Sequence, residues 1–353
     1  MGLERLRIES FRCLPSAEVA AHASLNIIAG GNGAGKTSLL EAIYILGRGR
    51  SFRAPRLSGV IADGQDAAIV FGEITNPEAR LGIQIARSAM EIRVNGESGG
   101  TASQLAESLP VQLIDPNVHE LVQGGPGERR RFLDWGVFHV KHDFLAGWRR
   151  YRRALQQRNA ALRQAASPET VAAWEPDLLA GAAIVDQSRR AYISEISPIL
   201  QRYVSKFLEM TVKLQYRQGW ADGVELEEAL AAGADRDRTY GSTQSGPHRA
   251  ELEILMDGVP ARHRLSRGQH KLLGSALILG QSDWVQQASG KQSILLVDEP
   301  AAELDAEHLA ALLAGVTDSG AQVFITALKT GALPVRVDYR GFHVERGEVS
   351  VLV

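Results

Sequence analysis

Cysteine is nearly absent from this sequence of 353 residues, with Cys13 the only one. An intrachain disulfide is therefore excluded, which fits a reducing compartment. The thiol itself reads as a small buried residue. His119, His139, His142, His248 and His263 show no metal-ligand spacing with cysteine, so no zinc site is expected. Long apolar runs are also missing. Those present, such as Ile294–Val297, fall far below the roughly 20 residues that cross a bilayer. The opening, Met1–Phe11, mixes charge with apolar residues and reads as a strand rather than a signal peptide. A cytoplasmic protein with no membrane partner is expected. The formal net charge is only −2, which argues against a simple basic nucleic-acid binder. What remains is a globular chain. At 44% hydrophobic residues it can build a large core without crosslinks, and its length favours two domains.

The pattern falls into three blocks. Leu3–Phe11 and Ser24–Ile28 read as strands and Thr37–Gly47 as a helix with Leu39, Leu40, Ile43 and Leu46 along one face. Ala67–Ile74, Leu81–Ala86 and Met90–Val94 suggest an antiparallel meander, turned at Asn76-Pro77 and Asn95-Gly96. Val111–Ile114 is a further strand. From Pro126 to about Leu208 the composition favours helix, and two long helices in a hairpin are expected, with Ser167 capping the second. Ala231–Pro247 reads as a loop. Strands then resume around Asp257-Gly258, followed by a helix over Leu265–Gln287, a buried strand over Ser293–Val297, a helix over Ala306–Thr317 and a buried strand over Val323–Thr326. The expected fold class is α/β: a head of residues 1–116 and 240–353, with a mixed sheet and an antiparallel meander, carrying an inserted helical arm at 117–239.

Gly30-Gly31-Asn32-Gly33-Ala34-Gly35-Lys36-Thr37, with Ser38 following, satisfies G-x-x-x-x-G-K-[ST] between an apolar strand and an amphipathic helix. Glycines let backbone N–H groups converge on phosphate oxygens, and the helix N-terminus favours negative charge. Lys36 is placed to reach the β- and γ-phosphates of ATP and Thr37 to bind Mg²⁺. Ile294–Glu299 is an apolar strand ending in two acids. Asp298 suits Mg²⁺ through water, and Glu299 suits orienting or deprotonating the attacking water. Ser266 opens the preceding helix as an N-cap, within a second surface suited to phosphate.

With these residues in hand, the chain resembles the ABC-type ATPases. Leu265–Gln269 (LSRGQ) is similar to their signature motif, with Arg267 in place of the usual first glycine, and Glu303-Leu304-Asp305 is similar to their D-loop. The resemblance implies that Ser266, Arg267, Gly268 and Gln269 of one copy close on the nucleotide of another, making an ATP-dependent homodimer. It also makes Gln112 a candidate Q-loop residue, against an ordinary polar strand residue. The long separation between Lys36 and the signature resembles the SMC and RecF branch. So do LGRGRSFR (Leu46–Arg53), Gly124-Gly125-Pro126, RRFLDW (Arg130–Trp135), SGPHR (Ser245–Arg249) and LSRGQHKLL (Leu265–Leu273). That branch implies binding of single-stranded and duplex DNA at gaps or junctions, and cooperation with RecR and RecO type mediators in loading RecA. Ile325-Thr326-Ala327 stands where transporter ATPases carry a switch histidine, so slow hydrolysis is expected.

Charge is uneven. Arg129–Arg163 holds ten Lys or Arg against two acids, a surplus of eight. Arg129, Arg130, Arg131, Arg149, Arg150, Arg152 and Arg153, with Trp148 and Tyr151 among them, are candidate DNA contacts, against a solvated helix face. Arg48, Arg50, Arg53 and Arg56 form a second cluster, open to DNA or dimer contact. Phe11 and Arg12 are candidates for touching adenine, or for core and surface of the first strand. A transporter subunit is disfavoured by the long insertion, and a GTPase by the lack of Asn-Lys-x-Asp.

Overall fold

The computed structural model describes residues 2–75, 77–302, 304–329, 331, 333 and 337–352. Asn76 of the expected turn and Glu303 of the D-loop resemblance lie outside them. The chain forms two compact units. The first comprises residues 1–118 and 267–353, the second His119–Ser266.

The first unit contains two six-stranded sheets. In one, β1 (Gly2–Phe11), β2 (Leu14–Ala20), β4 (Ala67–Thr75), β5 (Ala79–Ala86), β6 (Met90–Val94) and β7 (Glu97–Ser98) are ordered β2-β1-β4-β5-β6-β7, all antiparallel. The expected meander is β4, β5 and β6, enlarged by β1, β2 and β7. The other joins β3 (Leu25–Ala29), β8 (Val111–Ile114), β12 (Ile294–Val297), β13 (Gln322–Ala327), β14 (Tyr339–Glu345) and β15 (Glu348–Leu352) in the order β15-β14-β3-β13-β12-β8. Its inner pairs are parallel and only β15 runs antiparallel. β3, β12 and β13 are buried along their whole length, which is why they read as mostly apolar runs, with Asn26, Gln322 and Thr326 the buried polar exceptions. The helix Lys36–Arg48 packs its Leu39, Leu40 and Ile43 into the main core together with β1, β4 and β5.

The hairpin of β14 and β15 escaped the sequence reading. Its turn uses Arg346 and Gly347, both at positive φ (50° and 84°), as a type I′ turn requires, without the Asn-Gly or Asp-Gly that signals one.

The second unit is mainly helical: Pro126–Val140, Phe144–Arg163, Glu175–Leu208 and shorter helices, with a three-stranded sheet ordered β11 (Val259–Pro260), β10 (Glu251–Met256), β9 (Lys213–Arg217). Phe144–Arg163 and Glu175–Leu208 form the hairpin. They approach closely because Gly181 has no side chain, and a Cβ there would meet Tyr151 N at 2.5 Å. Ser167 caps a short intervening helix by accepting from Thr170 N. Three expectations change. The first long helix breaks at Lys141–Asp143, where Lys141 turns extended (φ −119°, ψ 103°) with no glycine or proline to mark it. The segment read as a loop holds a helix, Ala234–Tyr240, because Asp237 is buried against Arg158 rather than solvated. Residues 240–266 cluster with the arm rather than with the head, since β10 pairs with β9.

Candidate functional site

β3 ends at Ala29 and the chain turns through Gly30–Gly35 into the helix beginning at Lys36. The glycines are required by geometry. Gly33 and Gly35 hold φ of 76° and 120°, and a Cβ on Gly30 would lie 2.2 Å from Val344 O. The loop therefore closes tightly on β14 while its backbone stays bare on the cavity side.

Lys36 is 3% exposed, and its Nζ donates to Gly30 O and Gly31 O at 3.0 Å. The ammonium is thus coiled back inside its own loop, 3.8 Å from Glu299 Oε1. Thr37 Oγ1 donates to Asp298 Oδ1 at 3.2 Å. The phosphate loop and the carboxylate strand, 261 residues apart in sequence, are in contact. β12 and β13 are adjacent parallel strands, so Asp298 and Glu299 at the end of β12 meet Thr326 near the end of β13. Thr326 Oγ1 donates to Asp298 Oδ1 at 2.8 Å and accepts the Glu299 N–H at 2.8 Å. Glu299 sits at φ 47°, a strained conformation for a glutamate. Burial pushes the Asp298 carboxyl above the usual range, helped by the charge of Glu299 and opposed by the two threonine hydroxyls. Burial also raises Asp115 at the end of β8, with Asp298 adding to it.

A cavity of about 500 Å³ opens at the loop, lined by Gly33, Gly35, Lys36, Thr37, Ser38 and Glu299 on one side and by Arg12, Cys13, Arg53, Gly59, Ile61 and Asp63 on the other. Asn32 and Glu299 also border an adjoining apolar pocket with Leu328. Arg12 is the residue the sequence barely marked. Its guanidinium is bidentate on the fully buried Glu41 (3.0 and 2.9 Å) and donates to Gly59 O at 2.7 Å. Ser51 Oγ donates to the same carboxylate at 2.5 Å. Arg12 thereby fixes the cavity's far wall, while Phe11 is wholly core. Cys13, expected buried, is exposed on this wall, with Sγ 3.8 Å from Ser38 Oγ.

Other candidates lie elsewhere. Gln112 is buried on β8, and its Nε2 donates to Gln281 Oε1 at 2.6 Å, outside the cavity lining. The helix Arg267–Ser289 opens directly after the exposed Ser266. Arg267, Gly268 and Gln269 are at least partly exposed, and none of the three lines the cavity of its own chain. Asp305 caps the helix Ala306–Asp318 by accepting from His308 N at 2.9 Å and faces solvent. No group of three His, Cys, Asp or Glu side chains among the described residues is arranged to hold a metal ion. That does not conflict with Mg²⁺, which commonly takes one carboxylate, waters and the oxygens of a phosphate substrate.

The basic candidates divide. Arg129 is buried, bidentate on Glu251 (2.8 and 2.9 Å) and bound to Gly124 O at 2.7 Å, so it is a structural pillar of the arm. Arg130 donates to Ala250 O at 2.7 Å, Arg131 pairs with Glu128, and Arg150 pairs with Asp177 at 2.7 Å. Arg149, Arg152 and Arg153 are exposed, and Arg152 lies 4.9 Å over the Trp148 ring. In the second cluster, Arg48 lies 5.7 Å over Tyr44 and Arg53 reaches the cavity.

No described helix is long and apolar enough to cross a membrane. The family described as RecF/RecN/SMC N terminal domain matches residues 2–350. The chain is 41% identical over 358 residues to the DNA replication and repair protein RecF of Shewanella amazonensis, covering 99% of each, and 40% identical over 359 residues to that of Shewanella piezotolerans, covering 100% of each. A solved structure of the recombination mediator protein RecF-ATP in the RecFOR pathway superposes with a TM-score of 0.88 at 23% identity, over 99% of this chain and 97% of that one. The SmcHead bound to the C-winged helix domain of ScpA superposes at 0.62 with 15% identity, over 100% and 97%. The fold is therefore that of an ABC-type ATPase head. With about 40% identity along its whole length to its curated relatives, the chain belongs to the RecF family.

Proposed function

We propose that this protein is an ATP-dependent DNA-binding repair factor that dimerises around ATP and hydrolyses it slowly. The observation that carries the nucleotide reading is the contact of Thr37 with Asp298 beside a lysine held inside a glycine loop. The loop fits a triphosphate because its backbone is bare on the cavity side and Lys36 has two carbonyls and one long ion pair to Glu299 to release. Thr37 and Asp298 would hold Mg²⁺, which neutralises phosphate charge when bound. Glu299 takes a proton from water as the water oxygen bonds to the γ-phosphorus. The bond to the bridging oxygen breaks, giving ADP and phosphate. Thr326 positions Asp298 through its carboxylate and Glu299 through its backbone N–H.

Dimerisation is supported by the placement of Arg267, Gly268 and Gln269 outside their own chain's cavity, where they would serve a second copy's nucleotide with Ser266 and Asp305. The relatives' names point to DNA repair, and the RecFOR pathway of the solved relative points to RecR and RecO type mediators at DNA gaps. Location in the cytoplasm goes with these roles. Sedimentation with ATP and Mg²⁺, with and without gapped DNA, tests the whole reading. ATP should double the mass and gapped DNA should add to it, with log affinity falling by about 0.9 per log unit of salt for each duplex phosphate neutralised. A monomer with ATP, or no DNA binding in its presence, overturns it.

A further inference from the structure

Two sequence phrases, RRFLDW and SGPHR, have no part in the phosphate-loop site. Within the arm they meet. Arg130 and Asp134 of the first and His248 of the second line one cavity of about 230 Å³, closed by Trp148, Arg152 and Arg189.

Its charges do not cancel. Arg189, 3% exposed, is bidentate on Asp134 (2.8 and 3.0 Å) and donates to Pro247 O at 2.7 Å, so that pair is neutral. Arg130 donates to a carbonyl, Ala250 O, and the two carboxylates that act on it, Glu251 and Asp134, are each already bidentate on another arginine, Arg129 and Arg189. Arg152 lies over Trp148 at the exposed rim. Two guanidinium groups therefore share a small cavity whose single carboxylate is already taken. Burial, and next the positive charge of Arg189, lower the pKa of Arg130 by more than Glu251 and Asp134 raise it.

The floor adds no charge. His248 Nε2 lies 2.9 Å from Thr243 O, a pure acceptor, so this nitrogen carries the hydrogen. Nδ1 is then left to accept from Tyr151 Oη at 2.5 Å. The ring is neutral and locked at both ends. What the cavity offers is two cations, an aromatic side chain and a neutral floor, in a space too small for a duplex.

We propose that this cavity is a single-nucleotide pocket, taking one phosphate between Arg130 and Arg152 and one base against Trp148 from a single-stranded nucleic acid. The biological ligand rests on the DNA-binding reading above, but the test does not. The full-length Lys36→Ala variant, whose phosphate loop is disabled, is titrated calorimetrically with the 5′-phosphorylated thymidine dinucleotide. Binding is expected, and adding Arg130→Gln or Arg152→Gln should weaken it about tenfold, the loss of one charge-assisted phosphate contact. Trp148→Ala should weaken it similarly through lost stacking. Arg152 is exposed, so its variant stays folded even where Arg130→Gln does not. Absence of binding, or unchanged binding in both arginine variants, overturns the proposal. So does equal affinity for inorganic phosphate, which would remove the base. Gapped DNA offered to the wild-type protein with ATP reports separately on the DNA reading.

Discussion

Replacing Thr326 by valine preserves shape and removes one hydroxyl. That hydroxyl has no solvent exposure and serves two partners, donating to Asp298 Oδ1 at 2.8 Å and accepting the Glu299 N–H at 2.8 Å. A hydrogen bond to an ionised carboxylate contributes about 1.5–3 kcal/mol, and a buried donor left unpaired costs about 1–3 kcal/mol. The added methyl returns about 0.8 kcal/mol of burial. The losses share one atom and do not simply add, so a net destabilisation of roughly 2–4 kcal/mol is expected. Function should suffer differently from stability. Glu299 is held at φ 47° by its N–H bond to Thr326, and strain of about 1–3 kcal/mol relaxes once that bond is gone. Misplacing the base should slow hydrolysis about 100-fold. Thr326 does not line the cavity at the phosphate loop, so ATP affinity should change far less. Chemical denaturation reads the first effect and single-turnover hydrolysis the second. Thr326→Ser should restore both. A valine variant that unfolds at the wild-type midpoint and turns over at the wild-type rate refutes this reasoning.

Lys36→Ala should lose most nucleotide affinity, measured by equilibrium dialysis, because no other described cation lines the loop side of the cavity. Glu299→Gln should bind ATP but hydrolyse it poorly and accumulate the dimer on gel filtration. Ser266→Ala should bind ATP yet dimerise less. Asp298→Asn should bind ATP without Mg²⁺ about tenfold better than wild type by removing a charge that repels phosphate, and should gain little when Mg²⁺ is added; an unchanged Mg²⁺ requirement counts against Asp298 as the metal-side carboxylate. His248 is lowered from 6.5 to about 4, first by burial. The unfolded ring takes its proton near pH 6.5 while the folded one resists until about 4, so the unfolded state binds more protons in between. Stability should fall by about 1.4 kcal/mol for each unit that the pH drops across that window and be flat above it, and His248→Gln should flatten the window in pH-dependent denaturation.

What the sequence reveals here is set by how far apart the partners lie along the chain. The phosphate loop is legible because its glycines, lysine and threonine act within eight residues, and β12 because burial on both faces leaves only apolar residues. Arg12 was hard to read because its carboxylate, Glu41, lies on a helix 29 residues later. Arg129 counted toward a basic segment because acids are scarce around it, yet its partner Glu251 lies 122 residues away. Arg158 with Asp237 and Arg189 with Asp134 repeat the pattern. Local charge counting overestimates the exposed cations of such an arm, since several of the ten are balanced by acids from other segments. Thr326 shows the converse error. It was judged against the histidine it replaces, whereas its role comes from the neighbouring strand.

The distribution of charge at the head explains why hydroxyls, rather than cations, hold the Asp298 carboxylate. Asp115, Asp298 and Glu299 converge at the ends of β8 and β12, and burial raises the first two. An arginine paired to Asp298 would relieve that cost, as Arg12 does for Glu41. It would also cancel the negative field that a divalent cation needs and occupy its position. Thr37 and Thr326 satisfy the carboxylate's lone pairs with neutral donors and leave its charge in place. Lys36 is kept on carbonyls, 3.8 Å from Glu299 rather than locked in a close pair, which leaves its charge available to phosphate. A polyanion alone would meet Asp298 and Glu299, and a cation alone would meet Lys36. The arrangement favours the two arriving together, which is the form in which a magnesium nucleotide exists in solution.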